Sequence, residues 1–144
     1  MSSRLFQELR EERGLAYSIG AWTQACGDTG VVAIGCAADK ARAAESMNLA
    51  REVLANTIET LSDAEVHRAQ AQMEAGVLMA LETAQGRADQ MARSIEVFGQ
   101  VRPLDDLLGE LRAVDTASAK AVGAALLDGR IAISSVGARL AAVA

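Results

Sequence analysis

The stretch from residue 16 to residue 38 restricts the fold more than any other part of the chain. Ala16 to Ala25 and Val31 to Ala38 are runs of small and β-branched residues, and Gly27, Asp28 and Gly30 between them are turn formers. The pattern predicts a β-hairpin. A hairpin alone is marginal in water and must lay one face on something apolar. The rest of the chain supplies helices for that purpose.

Before the hairpin, Ser2 or Ser3 is placed to cap a helix whose Leu5, Phe6 and Leu9 share one face, and Gly14 permits the left-handed backbone that ends it. After the hairpin, Asp39 is an N-cap candidate for a helix with the stripe Ala43, Met47, Ala50, Leu54, Ile58, Leu61. Ser62-Asp63-Ala64-Glu65 is a capping box and opens a long helix carrying Val66, Ala69, Met73, Val77 and Leu81. The pattern weakens at 83–86 and resumes with Ala88, Met91, Ile95 and Phe98, which fits one broken helix or two consecutive ones. Pro103 is placed to start a short helix through Leu111, and Asp115 or Thr116 to cap another with Ala119, Val122 and Leu126 inside. Ile131 to Val136 reads as a final buried strand. The expected order is α-β-β-α-α-α-α-α-β, a single α+β domain over residues 1–144 with helices on one face of a small, mostly antiparallel sheet.

Composition agrees with that architecture. Of 144 residues, 51% are hydrophobic but only 3% aromatic, so the core is built from Ala, Val, Leu, Ile and Met in closely approached layers. The net charge of −5, with no basic run interleaved with aromatics, argues against a nucleic-acid partner. No apolar run reaches the ~18 residues of a membrane helix, and no segment has the order of a signal peptide. The chain as given is expected in the cytoplasm, or in the periplasm if a leader precedes it in a longer parent.

The candidate chemistry is sparse. His67 is the single histidine, so neither H-E-x-x-H nor H-x-x-E-H can occur; in a polar run with Glu65, Arg68 and Gln70 it reads as a solvated helix-surface residue. A hairpin centred between Asp28 and Thr29 sets Cys26 against Val31 and Cys36 against Ala21, which predicts two free thiols, read as small buried apolar residues. A zinc site from Cys26, Cys36 and His67 lies outside the spacings of closed sites. Met73, Met79 and Met91 at near-helical spacings read as core filler. Arg10 and Tyr17 differ in kind. A planar fork of donors and a hydroxyl on a rigid stem could together hold a peptide carbonyl or a developing oxyanion, or be no more than a surface Arg and a sheet Tyr.

The segment SSRLFQELREERGLAYSI resembles the signature in the C-terminal half of the pitrilysin, insulinase and mitochondrial-processing-peptidase family of zinc peptidases, the inverzincins. The likeness continues through the DTG turn, LSDAEVHRAQAQMEAGVLMALET, QGRADQMARSIEVFG, RPLDDLLGELRAVDTASAKAV and a last segment ending SSVGA, and so covers essentially the whole chain. The resemblance implies the later part of that family's C-terminal peptidase domain. It implies that Arg10 and Tyr17 project toward substrate and help bind the scissile peptide. It also implies that zinc, its ligands and the Glu base lie in an N-terminal half of the same chain or of a partner, since H-x-x-E-H is missing here. Glu82 and Arg87 match the family's Glu-x-x-x-x-Arg stretch, although a surface ion pair would explain them equally.

Two functions follow as expectations. The first is the non-metal-binding part of a zinc metallopeptidase, inactive alone, that binds a peptide or unfolded polypeptide and completes the active site of an H-x-x-E-H half. The alternative is a non-catalytic partner subunit or scaffold of the same family; a stand-alone α+β ligand-binding module is a distant third. Because the signature stands at the first residues, the chain is expected to be a fragment or a truncated relative. A sheet missing neighbours leaves N–H and C=O groups unpaired, which predicts a homo- or hetero-oligomer or a missing piece.

Overall fold

The computed structural model describes residues 3–26 and 28–140. Helix α1 (Arg4–Phe6) runs directly into a π-helical turn (Gln7–Glu12), followed by β1 (Ala16–Ala25) and β2 (Gly30–Ala38), which form a two-stranded sheet. A 3₁₀ turn (Lys40–Arg42) leads into α2 (Ala43–Thr60), then α3 (Asp63–Ala80), α4 (Ala84–Phe98), α5 (Leu104–Ala113) and α6 (Thr116–Leu127). This is the α+β order expected from the sequence, with one exception. Ile131 to Val136 forms no strand: the sheet among the described residues is β1-β2 alone, and Ile131 and Ile133 are exposed. A run of β-branched residues becomes a strand only where a neighbour completes its ladder, and neither hairpin strand serves this one.

The chain divides into two compact units, one of Met1–Gln24, Val31–Thr60 and Val122–Ala144, the other of Ala25–Gly30 and Leu61–Ala121. The first unit holds the core. Leu9, Leu15 and Ala16 from the corner before β1 meet Leu49, Ala50 and Val53 of α2, and Leu5, Ile19 and Ile34 pack against them. Helix α2 thus covers the hairpin face that carries Ile19 and Ile34. Its buried stripe is Ser46, Leu49, Ala50 and Val53. Of the expected stripe only Ala50 is fully buried, while Met47, Leu54 and Ile58 are half-buried. The helix is turned toward Ser46 because that hydroxyl is satisfied inside: it donates to the Arg42 carbonyl at 3.0 Å and lies 3.5 Å from the Leu15 carbonyl.

The hairpin turn closes with Cys26 N–H donating to Thr29 C=O at 2.8 Å, so its centre falls one residue earlier than expected. Both cysteines are free thiols, but both are exposed, and the reading of them as buried apolar residues is corrected.

In the second unit the capping box forms as the sequence predicts. The Ser62 hydroxyl accepts from Glu65 N–H, and the Glu65 carboxylate accepts from Ser62 N–H at 3.1 Å. The weak pattern at 83–86 resolves into two helices. Thr83 caps α4 by accepting from Gly86 N–H at 2.9 Å, and a Cβ at Gly86 would stand 1.8 Å from the Ala80 carbonyl oxygen. Only glycine fits that corner. The Asp115 carboxylate accepts from Ser118 N–H at 2.7 Å, so of the two candidates Asp115 caps α6. The Gln70 amide donates to the carbonyls of Leu111, Arg112 and Val114 and so satisfies the end of α5.

Ion pairs Arg112–Glu74 and Arg102–Glu110 add surface links within this unit. The hydrogen bond from each arginine holds its carboxyl below the ordinary glutamate value. No hydrogen bond or ion pair joins Glu82 to Arg87; Arg87 instead donates to the Leu81 carbonyl at 3.5 Å. His67 is exposed on α3, as its polar neighbours predict. Met73, Met79 and Met91 are exposed as well, which corrects their reading as core filler. Helical spacing shows that apolar residues share a face but not what covers it, and α3 and α4 bury only Val66 and Ser94.

Candidate functional site

The candidate site is the corner between α1 and β1. Ser3 starts α1 by accepting from Phe6 N–H at 3.3 Å. The helix then widens: Arg13 N–H reaches back five residues to Glu8 C=O at 3.3 Å, and Leu15 N–H reaches Leu9 C=O at 2.7 Å. Such π turns are rare and tend to mark functional places. Leu9, with none of its surface exposed, pins this one to the core. Gly14 at φ +55° then reverses the chain into β1, a conformation that a side chain would disfavour.

The corner brings together the two residues that the sequence singled out. The Arg10 guanidinium carbon lies 5.7 Å from the centre of the Tyr17 ring and 5.0 Å from that of Phe6. Among the described residues Arg10 makes no hydrogen bond or ion pair, and the Tyr17 hydroxyl has no hydrogen-bond partner. Tyr17 is 82% exposed. Their donors are therefore unspent.

Both residues line an open cleft of about 520 Å³, together with Gly14, Leu15 and Ala16, Ala37 and Ala38 of β2, and Asp39. Sequence reasoning placed Asp39 as an N-cap. It occupies that position, but its side chain makes no capping hydrogen bond, which leaves an acceptor beside the two donors. Phe6 was assigned only to the apolar face of α1. Its place four residues before Arg10 was the signal that the two side chains meet. Among the described residues no three His, Cys, Asp or Glu side chains gather where they could hold a metal ion.

Residues 1–73 match the family described as the peptidase M16 inactive domain. The chain belongs to that family. An uncharacterized zinc protease of Streptomyces coelicolor is 30% identical over 138 residues, covering 95% of this chain and 30% of the relative. The chain thus spans about a third of the length of the curated relatives it matches. Among solved structures, a chain of Complex III2 from Candida albicans, Inz-5 bound, superposes with a TM-score of 0.76 at 20% identity, covering 87% of this domain and 30% of that chain. The periplasmic protease PqqL from Escherichia coli superposes at 0.69 with 16% identity, covering 83% of the domain and 14% of that chain. Both likenesses show that this chain shares the fold of the matched part of each structure. No helix among the described residues is long and apolar enough to cross a membrane.

Proposed function

We propose that this M16 inactive domain binds an extended peptide at the cleft between Arg10, Tyr17 and Asp39 and, paired with an H-x-x-E-H half, completes a zinc peptidase site. The observation that carries the reading is the pair of unspent donors, Arg10 and Tyr17, lining one cleft. A peptide backbone offers carbonyl acceptors and N–H donors in alternation. The guanidinium fork and the phenol suit the carbonyls, and the Asp39 carboxylate suits an N–H. The small residues Gly14, Ala16, Ala37 and Ala38 in its lining let a backbone approach closely. Zinc would be held by the other half, where it would supply Lewis-acid chemistry to the scissile carbonyl and to water. This chain's share is to hold the peptide and to present donors where negative charge develops.

A non-catalytic partner subunit is the second reading. The family's description as an inactive domain and the fold likeness to a complex III chain favour it. One experiment separates the two. The chain is combined with an H-x-x-E-H half taken from a full-length M16 relative, and cleavage of an unstructured peptide carrying a quenched fluorophore pair is followed. The expected result is cleavage by the pair and none by this chain alone. A half that cleaves equally fast without this chain would leave only the partner-subunit reading.

A further inference from the structure

We infer that Phe6 is a positioning residue for Arg10: its ring, with that of Tyr17, holds the guanidinium so that its N–H edge is presented to the cleft. The inference deepens the peptide-binding reading of the same site and rests on it for its consequence in catalysis. Arg10 has the flexible side chain that most needs holding, and among the described residues nothing polar holds it. It lies over two rings, at 5.0 and 5.7 Å, within the ~6 Å over which a cation is attracted to an aromatic face. The nearer ring is that of Phe6.

A guanidinium held over ring faces keeps its in-plane donors for a ligand, whereas one fixed by a carboxylate would spend them. An aromatic clamp orders the side chain and leaves its hydrogen-bonding capacity intact. Phe6 is half-buried. It is also the residue at which the α-helical backbone passes into the π turn that carries Arg10. The register of that turn sets ring and guanidinium together, and a leucine would fill much the same space without attracting the cation.

The test has two arms. In the isolated chain, the Arg10 Nε–Hε resonance is followed by NMR, because ring currents from Phe6 displace it. Phe6→Leu is expected to move it toward the position of a free arginine, and Phe6→Tyr to leave it near wild type. In the reconstituted peptidase, Phe6→Leu is expected to lower kcat/KM by about three- to fivefold, with rescue by Phe6→Tyr and no added loss in an Arg10→Ala background. A packing role alone would cost the same in both backgrounds. An unmoved Arg10 resonance in Phe6→Leu, or a loss that persists without Arg10, overturns the assignment. If Arg10→Ala cleaves as fast as wild type, the peptide-binding reading fails instead, and the NMR arm still decides whether Phe6 holds the guanidinium.

Discussion

Arg10→Ala is expected to lower turnover by the reconstituted peptidase by about a hundredfold or more, the usual effect of removing one donor aimed at developing negative charge. The size follows from what Arg10 does not do in the free chain. Its donors have no partner among the described residues, so a bound carbonyl gains them without breaking an existing bond. Arg10→Lys is expected to recover little, because an ammonium keeps the charge but loses both the fork and the ring stacking. Tyr17→Phe removes one hydroxyl and leaves the ring over Arg10, so it isolates the phenolic donor. Both positions are solvent-exposed, and their substitution changes stability by only about 0.5 kcal/mol. Loss of activity is then read as loss of the site rather than of the fold. Steady-state cleavage of an unstructured peptide measures it, and equal rates in Arg10→Ala and wild type would remove Arg10 from the site.

Leu9→Ala is expected to destabilise the domain by about 2–5 kcal/mol, the range for truncating a fully buried leucine. Leu9 sits at the centre of a small core with Leu15, Ala16, Leu49, Ala50 and Val53, and a small core has few neighbours to close a cavity. The loss also reaches function. Leu9 C=O accepts from Leu15 N–H at 2.7 Å, and its side chain is what ties the π turn to α2. Without it Arg10 and Tyr17 lose their common base. Urea unfolding followed by circular dichroism measures the change, and a midpoint equal to wild type would show that the corner does not depend on this core.

Local signals made much of the fold legible. Turn formers between β-branched runs marked the hairpin, Ser62 with Glu65 marked the start of α3, and Gly14 marked the corner, because each rests on backbone chemistry within a few residues. What was not legible depends on partners elsewhere in space. Ile131 to Val136 has the residues of a strand but no ladder to join. Met73, Met79 and Met91 have the spacing of a buried face but no cover in the described structure, and Cys26 and Cys36 look apolar yet stand in solvent.

The site divides along the same line. Arg10 and Tyr17 were found through a signature, and the structure brings them to 5.7 Å. Phe6 and Asp39 were missed because each already had a structural explanation, as an apolar helix residue and as a cap. The π turn was invisible to a reading built on α-helical spacing, since QELREE suits either winding. Arg10 keeps its place beside Tyr17 because Leu9 anchors the turn, and no periodicity in the sequence reports that.

The central claim is that peptide lies in the cleft lined by Ala37 and Ala38. A photoreactive benzophenone amino acid at position 37, in the complex with an H-x-x-E-H half, tests it most directly against an unstructured peptide, with the same group at the exposed position 73 as control. Position 37 is predicted to cross-link the peptide and position 73 not to, and Arg10→Ala is predicted to weaken the cross-link. Equal cross-linking at both positions, or none at position 37 while the complex cleaves the peptide, would contradict the account.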